Sequence, residues 1–314
     1  MNQYLVSVII PSYNRSFLLK EAIQSVVDQT YRPIECIVVD DGSTDDTPEI
    51  VREFVLKNNP QFTTRYIAQQ NAGAQVARNT GTAASSGQYI QYLDSDDLLY
   101  PGKLQSQVSY LQDHPECDAV FGDWDEGLQG NAKRVIAYKK EDLVLQMLTE
   151  RCISNFAILL RRRLLQKIEP WDVAIKRNQE IDFHLGSVMA GGLFEYQPFT
   201  TGLWRLHLDK RIGNTTGITE TIAFFKKWEN IIREKDFWNE DYASGITNNH
   251  IWSLGQSAGT ENEFKLLLSE IYRHTPQHPI FRSTKFKISK IIFGLNGAVY
   301  LWIKRFKRNK TLHR

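Results

Sequence analysis

The sequence contains little cysteine. Its three cysteines, Cys36, Cys117 and Cys152, stand far apart among 314 residues. They predict buried thiols in a reducing compartment, and their spacing fits neither a disulfide framework nor a thiolate metal site. The N-terminus likewise lacks the basic, apolar and small-residue segments of a signal peptide, because strand-like sequence begins at Tyr4. Both absences favour a cytoplasmic location.

Acidic residues are missing from the end of the chain. No Asp or Glu follows Glu270, whereas eleven Lys and Arg lie between Arg273 and Arg314. The first 270 residues carry 27 basic and 36 acidic side chains, so the net charge of +2 hides an acidic body and a basic tail. Nothing in the acidic body suggests a nucleic-acid partner.

The tail offers no membrane-spanning run. The apolar stretch at 291–303 is shorter than the roughly 20 residues that cross a bilayer. Its basic flanks at 285–290 and 304–310, together with Tyr300 and Trp302, favour a helix lying in the interface of an anionic membrane. The alternative is a C-terminal helix packed on the body or on a second subunit. We therefore expect peripheral attachment to the inner face of the cell membrane and leave the oligomeric state open.

The first hundred residues alternate between apolar strands and amphipathic helices. Four runs rich in β-branched or apolar residues predict buried strands: 4–10, 35–39, 62–68 and 89–93. Helical spacing follows the first strand from Ser16, which we expect to cap the helix. This alternation predicts an α/β fold with a mostly parallel sheet and helices on both of its faces.

The second half of the chain is less regular. Its patterns predict strands at 119–124, 155–160, 194–196 and 201–206, and helices at 141–150 and 179–189. A helical pattern then begins near Thr219, with helices predicted at 221–233, 242–254 and 261–272. We therefore divide the chain into two halves of a sheet domain, 1–100 and 101–217, and a C-terminal helical region, 218–314, that includes the basic tail.

Three carboxylates, Asp94, Asp96 and Asp97, fall within four residues directly after the strand at 89–93. Open α/β sheets bind ligands at the carboxyl ends of their strands. Like charges so close together repel unless a cation or several hydrogen-bond donors neutralise them. Hard oxygen ligands favour Mg²⁺ or Mn²⁺, which commonly bridge to substrate phosphates. The cluster thus predicts a metal–diphosphate site, with an acidic turn or a helix cap as the alternative.

Two further acids, Asp40 and Asp41, follow the strand at 35–39 and precede Gly42 and Ser43. Asp-Gly-Ser is common turn chemistry, but a carboxylate at a strand end can also accept the N–H of a nucleotide base. Arg78 lies in a Gly-rich loop and helix at 71–81. It either pairs with one of these acids or reaches a phosphate, and the sequence leaves both open.

Two other pairs of polar residues invite a functional interpretation. Glu180 and Asp182 open the helix predicted at 179–189, where they either stabilise its N-terminus or supply a general base, Glu180 being the first candidate. Arg205 and His207 alternate with apolar residues, which places both on one face of a strand. They belong either to a half-exposed edge strand or to a site where they meet a metal or a diphosphate.

Taken together, these segments resemble the bacterial glycosyltransferase family 2 enzymes of GT-A fold. The matching stretches are VSVIIPSYNR, IVVDDGSTDDT, QNAGAQVARNTG, GQYIQYLDSDDLLYPGKL, QEIDFHL and WRLH, and they extend over about residues 4–215. The resemblance implies a Rossmann-like sheet whose first half, 1–100, binds the nucleotide-sugar. The second half, 101–217, would bind the acceptor and carry the catalytic base.

The resemblance also implies roles for individual residues. The implied nucleotide site comprises Pro11, Tyr13, Arg15, Asp40, Asp41, Arg78, Asp94 and Ser95. Asp96 and His207 would bind Mn²⁺ or Mg²⁺, and Arg205 and His207 would lie near the diphosphate. Glu180 aligns with the catalytic base, for which the family usually has Asp, so Asp182 remains the fallback.

The implied activity is metal-dependent sugar transfer with inversion. The donor would be a nucleotide-sugar, with UDP first and dTDP or GDP as alternatives, and the acceptor a glycan or a lipid-linked molecule in cell-surface polysaccharide synthesis. A metal on the diphosphate stabilises the leaving group, so one base is enough. The rival class is an inactive nucleotide-sugar binder or scaffold, which the Glu at position 180 keeps open. A nucleotidyltransferase is disfavoured, because the loop at 11–15 has no glycine.

Overall fold

The computed structural model describes residues 4–128, 130–138, 141–149, 153–206, 217–256 and 261–277. Its strands are β1 (Val6–Ser12), β2 (Ile34–Asp40), β3 (Phe62–Ala68), β4 (Tyr89–Tyr92), β5 (Leu98–Leu99), β6 (Ala119–Leu128), β7 (Asn131–Val135), β8 (Ile158–Arg161) and β9 (Phe194–Arg205). Its helices are α1 (Ser16–Val27), α2 (Thr47–Val55), α3 (Ala74–Ala84), α4 (Lys103–Asp113), α5 (Leu143–Thr149), α6 (Arg162–Leu165), α7 (Gln179–Met189), α8 (Ile218–Glu234), α9 (Glu240–Gln256) and α10 (Glu261–His274). The chain forms two compact units, one comprising 1–144, 152–175 and 179–209 and the other 145–151, 176–178 and 210–314.

The sheet has the strand order β3-β2-β1-β4-β8-β6-β9-β5, and β7 pairs with β6. The first four strands are all parallel. Beyond β4 the sheet is mixed, because β8 runs antiparallel to both of its neighbours whereas β6 and β9 are parallel. All residues of β1 and β2 are buried, as expected for parallel strands covered on both faces. The predicted α/β class, with its parallel sheet and helical C-terminal region, is confirmed.

Helix α3 packs closely on the sheet at Gly81. A methyl group at this position would collide with the side chain of Ile9 on β1 and crowd Val39 on β2, at 3.2 Å. Ala77, one turn earlier, joins Ile37 and Val39 in a buried apolar cluster. The small residues of the segment at 71–81 therefore let the helix approach the strands that carry the predicted nucleotide site.

Several predicted boundaries agree with the structure, and others were wrong. Strand β3 and helix α7 have the predicted limits. The two extended segments predicted at 194–196 and 201–206 form the single strand β9, since Pro198 and Gly202 interrupt its pattern without ending it. The strand predicted at 155–160 begins as a 3₁₀ turn, Asn155–Ala157, before β8. The two-residue β5 and the exposed β7 carry too little apolar pattern to be recognised.

Ser16 does not cap α1, contrary to the prediction. It is the first residue of the helix, and its backbone N–H donates to Asp45 Oδ2 at 2.8 Å. Asp45 lies in the loop after β2 and also accepts from the hydroxyl of Thr47 at 2.6 Å. A carboxylate from another loop thus satisfies the helix end, so the local sequence pattern misassigned the partner.

The second unit contains α8, α9 and α10, with a buried carboxylate among them. Glu229 of α8 accepts hydrogen bonds from Arg273 at 2.6 Å and from Arg233 at 2.9 Å, and its Oε2 lies 2.9 Å from His274 Nε2. These partners lower the pKa of Glu229 to about 2 against the opposing effect of burial. The pairing ties α8 to α10.

The described residues contain no helix long and apolar enough to cross a membrane. The apolar stretch at 291–303 and its basic flanks lie outside the described residues. The interfacial helix predicted there, and its alternative as a packed C-terminal helix, stay predictions.

Candidate active site

Three parallel strands bring the predicted site residues to one edge of the sheet. Ser12 of β1 stands opposite Asp40 of β2, and Ile9 of β1 stands opposite Tyr92 of β4. The segments that follow these strands therefore begin side by side. Pro11 is buried and Tyr13 is 48% exposed, so the ring of Tyr13 is available to a ligand at this edge.

Asp40 and Asp41 are buried, and both are engaged with the protein itself. Asp40 accepts hydrogen bonds from the Ser43 backbone N–H at 2.8 Å and from the Tyr66 hydroxyl at 2.6 Å. Asp41 accepts from the side chain of Gln69 at 2.7 Å and from the backbone N–H groups of Ala72 and Gly73 at 2.9 and 2.8 Å. Asp41 thus fixes the Gly-rich loop. A carboxylate offers about four acceptor positions, so each acid retains acceptor capacity for a base.

The carboxylates of the acidic loop after β4 differ in their partners and in their burial. Asp96 Oδ2 pairs with Arg15 Nη1 at 3.0 Å, which brings a residue of the β1–α1 loop to the predicted metal ligand. Asp97 is buried, and its Oδ1 accepts the backbone N–H of Arg205 at 3.1 Å. Burial, with the nearby Asp96 and Asp94 carboxylates, raises the pKa of Asp97 well above its usual range. Ser95 is buried between the two acids of the motif.

Arg78 lies between the acidic loop and the start of α7. Its Nη2 is 2.7 Å from Asp94 Oδ1 and 3.6 Å from Glu180 Oε1. Its Nη1 donates to Gln179 Oε1 at 3.1 Å. The guanidinium lies over the ring of Trp171, with 4.4 Å from its central carbon to the ring centroid. Arg78 thus pairs with an acid, and this acid is Asp94; the contact with a phosphate that the sequence also left open stays a prediction.

The two candidate bases on α7 differ in exposure. The side chain of Glu180 is 32% exposed, whereas Asp182 is buried. Partial burial raises the pKa of Glu180; the Arg78 guanidinium opposes this effect, and the negative charge of Asp94 adds to it. A carboxylate that reaches solvent and has a raised pKa is suited to accept a proton.

Arg205 connects the acidic loop to helix α1. Its Nε donates to the backbone carbonyl of Asp96 at 2.6 Å, its Nη2 donates to the carbonyl of Leu18 at 3.1 Å, and its Nη1 pairs with Glu21 of α1. The guanidinium predicted to meet the diphosphate therefore contacts α1 and the loop backbone. His207 lies outside the described residues.

The site offers hard oxygen donors to a divalent cation. Asp94 and Asp96 are two residues apart at the strand end, and both are partly exposed. The described residues contain no group of three or more His, Cys, Asp or Glu arranged to hold a metal. Mg²⁺ in such sites is commonly bound by one or two carboxylates, with substrate phosphates and water completing the shell. The donor set fits an ion that binds together with a diphosphate.

Sequence reasoning missed several residues that shape the site. Glu21 pairs with Arg205, and the ring of Trp171 lies against the guanidinium of Arg78. Tyr66 donates a hydrogen bond to Asp40, and Gln69 donates one to Asp41. Trp171 stands in the segment between α6 and α7, for which the sequence shows no pattern. Tyr66 and Gln69 could have been found from the register of parallel strands, because the end of β3 must lie beside the end of β2.

The family model and the curated relatives that this sequence matches are glycosyltransferases. A model of the family described as "Glycosyl transferase family 2" matches residues 7–169. An uncharacterized glycosyltransferase of Haemophilus influenzae is 32% identical over 170 residues, which are 53% of this chain and 66% of that protein. The matched segment spans only 15% to 18% of the length of three other curated relatives, so most of those proteins lies outside the comparison.

Solved structures share the fold at low sequence identity. S. aureus TarS 1-349 in complex with UDP is 17% identical and superposes with a TM-score of 0.67, covering 97% of this chain and 91% of that one. The mannosyltransferase PcManGT from Pyrobaculum calidifontis, in complex with GDP-Man and Mn²⁺, is 17% identical with a TM-score of 0.55, covering 96% and 86%.

Proposed function

Because the chain belongs to glycosyltransferase family 2, we propose that it transfers a sugar from a nucleotide-sugar, with a UDP-sugar as the first candidate, to a hydroxyl of a glycan or lipid-linked acceptor. The reaction proceeds with inversion and serves cell-surface polysaccharide synthesis. One observation carries the proposal: Asp94, which follows β4 and stands two residues before Asp96, lies across Arg78 from the partly exposed carboxylate of Glu180. GDP- and dTDP-sugars are the alternative donors.

The donor binds at the shared edge of β1, β2 and β4. Tyr13 and Pro11 line the pocket for the base, and Asp41 or Asp40 accepts its N–H group with the capacity that the internal bonds leave. Asp94 and Ser95 lie at the ribose. Structural neighbours in complex with UDP and with GDP-Man support this placement through their shared fold.

Asp96 holds the divalent cation, Mn²⁺ or Mg²⁺, with His207 as the second predicted ligand. When bound, the cation stabilises negative charge on the departing diphosphate. Arg15, 3.0 Å from Asp96, balances the charge of this carboxylate in the structure, and its guanidinium would be a suitable donor to a phosphate oxygen of a bound diphosphate. Arg205 keeps the loop in place through the carbonyl of Asp96.

Glu180 acts as the base. It removes the proton of the acceptor hydroxyl while the hydroxyl oxygen forms its bond to the anomeric carbon and the bond to the diphosphate oxygen breaks. The leaving group needs no protein acid, so a single base is enough, in contrast to the two carboxylates of glycoside hydrolysis. Asp182 is the fallback, although its burial places it less favourably for a bulky acceptor.

The first experiment screens donors. Hydrolysis of UDP-, GDP- and dTDP-sugars is measured with and without Mn²⁺, and Glu180→Gln is then compared with Asp182→Asn. We expect Glu180→Gln to lower turnover by at least about a hundredfold while nucleotide affinity stays within about threefold. Glu53→Gln, on an exposed α2 residue paired with Lys20, is the matched control and should behave as the wild type.

The outcomes separate the candidate functions. Loss of activity in Asp182→Asn with retention in Glu180→Gln would move the base to Asp182. Binding of a nucleotide-sugar without hydrolysis or transfer by the wild type would instead favour the inactive binder or scaffold.

We also propose that the basic tail attaches the enzyme to anionic membranes. The support is compositional: eleven basic and no acidic residues follow Glu270. Removing the residues after Ile280 should move the protein from the membrane fraction to the soluble fraction. Unchanged partitioning would contradict this proposal and favour a tail packed on protein.

A further inference from the structure

Both terminal nitrogens of Arg78 already contact protein groups, whereas its Nε has no hydrogen-bond partner among the described residues. Arg78 is only 3% exposed. One face of its guanidinium lies on the Trp171 ring, and its edge meets Asp94, Gln179 and Glu180. Each of these contacts is internal to the protein, and two of the three are to the first turn of α7.

Trp171 is itself fixed in place. Asn79, which follows Arg78 on α3, donates a side-chain hydrogen bond to the backbone carbonyl of Trp171 at 3.0 Å. The Asn79 side chain also accepts a hydrogen bond from the backbone N–H of Trp171 at 2.9 Å. The indole also stacks on Phe183, with centroids 4.2 Å apart and planes 2° from parallel. Phe183 lies one turn after Glu180 on α7, so the same ring supports both the guanidinium and the helix that carries the carboxylate.

The charges explain why a cation is needed at this point. Asp94 and Glu180 are like charges that flank one guanidinium, and without it they would repel. The contact of 2.7 Å to Asp94 is a charge-assisted hydrogen bond, whereas 3.6 Å to Glu180 is an electrostatic contact only. Arg78 therefore draws Glu180 towards the acidic loop without taking up its capacity to accept a proton.

We propose that Arg78 is a positioning residue, seated on Trp171, that sets the place of the Glu180 carboxylate relative to Asp94. The proposal rests on the proposed function in one respect, the assignment of Glu180 as the base. It replaces the nucleotide contact expected for Arg78 from the family resemblance. It also accounts for the Glu at position 180, because the longer side chain lets the carboxylate reach the guanidinium from the first turn of α7.

The test compares Arg78→Lys and Trp171→Phe with two matched controls. Arg65→Lys makes the same exchange in an exposed arginine of β3 that pairs with Glu35. Trp238→Phe removes the same type of contact in the second unit, where Arg233 lies 4.0 Å from the ring. Both test variants keep a cation or a ring, so we expect folding to be preserved, and circular dichroism and the melting temperature are the check.

Three measurements are made on each variant. UDP affinity is determined by calorimetry with Mn²⁺, using GDP or dTDP if the donor screen favours one of them. The kcat and KM of the donor found in that screen are measured against pH. The titration of Glu180 is followed by ¹³C NMR of protein labelled at the Glu carboxyl carbon, with Glu180→Gln identifying the signal.

We expect both test variants to keep UDP affinity within about threefold and to lose at least about tenfold in kcat. The acid limb of the pH profile and the NMR titration of Glu180 should both move to higher pH, because a more distant cation leaves the effects of burial and of Asp94 unopposed. Asp96 and Asp182, the other acids close to Glu180, are unchanged in these variants, and the controls should match the wild type.

Weakened UDP binding in Arg78→Lys, with the Glu180 titration unmoved, would overturn the proposal and make Arg78 a nucleotide ligand. An unmoved titration in Trp171→Phe together with wild-type kcat would overturn the role of the ring. If the wild type transfers no sugar, the proposed function fails, and the NMR titration alone decides whether Arg78 holds Glu180.

Discussion

Acid should destabilise the sheet unit through a buried histidine. His184 of α7 is 2% exposed, and neither of its ring nitrogens has a hydrogen-bond partner among the described residues. Its neighbours are the rings of Phe183 and Phe194, at centroid distances of 5.8 and 6.4 Å. Burial, with a smaller contribution from the Arg78 charge, lowers the pKa of His184 to about 3. Folding therefore requires this imidazole to be neutral.

The size of the effect follows from linkage. An unfolded histidine titrates near its ordinary value of about 6.5, so only the unfolded state gains a proton as the pH falls below that value. The stability is fully present above about pH 6.5 and is lost progressively down to the folded-state pKa. Between about pH 7.5 and pH 5 the loss from His184 alone is about 2 kcal/mol. His250 in the second unit, with a pKa lowered to about 4, should contribute a similar loss there.

The assay is urea unfolding of the wild type, His184→Phe and His250→Phe at several pH values, followed by intrinsic fluorescence and circular dichroism. His184→Phe should flatten the pH dependence of the unfolding free energy of the first unit by about 2 kcal/mol between about pH 7.5 and pH 5. His250→Phe serves as the comparison, because it removes an imidazole from the other unit. Equal slopes for His184→Phe and the wild type would refute the reasoning.

Two further stability predictions follow from packing and charge. Gly81→Ala should lower the unfolding free energy by about 1–3 kcal/mol, because the added methyl group collides with Ile9. Gly186→Ala should not, because no described atom beyond its chain neighbours and its own helix backbone lies within 4 Å of the added carbon. Urea titration measures both, and equal effects would contradict the packing argument. Glu229→Gln should cost about 3 kcal/mol near neutral pH by removing the buried carboxylate that Arg233 and Arg273 share, and its difference from the wild type should shrink as the pH falls from about 4 towards 2. Glu234→Gln, on the exposed side of the same helix, is its control, and a loss of similar size there would count against the buried pairing.

The parallel half of the sheet could be predicted because its strands carry their own signal. Strands buried on both faces need runs of β-branched and apolar residues, and parallel strands need a helix between each pair. The polar segments after β1, β2 and β4 had to meet, since these strands end at one edge. The placement of Asp40, Asp94 and Asp96 therefore followed from topology alone.

The partners of these residues could not be predicted in the same way. Trp171 reaches Arg78 from 93 positions along the chain, and Glu21 reaches Arg205 from 184. Such contacts depend on how side chains pack across helices and loops, for which spacing along the sequence carries no signal. Arg205 shows the result: its alternation along β9 was recognised, but the direction of its guanidinium, towards α1 and the loop backbone, depends on Leu18 and Glu21.

The pairing of β9 with β5 limits what a shortened version of the chain can do. Leu98 and Leu99 lie antiparallel to Leu203 and Gly202, and Arg205 then reaches Asp97 across 108 residues. A fragment ending before β9 would contain every acidic residue of the motif but would lack the strand that shapes their loop. Such a fragment would keep the acidic side chains but lose the contacts that hold their loop, so we expect the proposed donor-binding half not to work as an independent module.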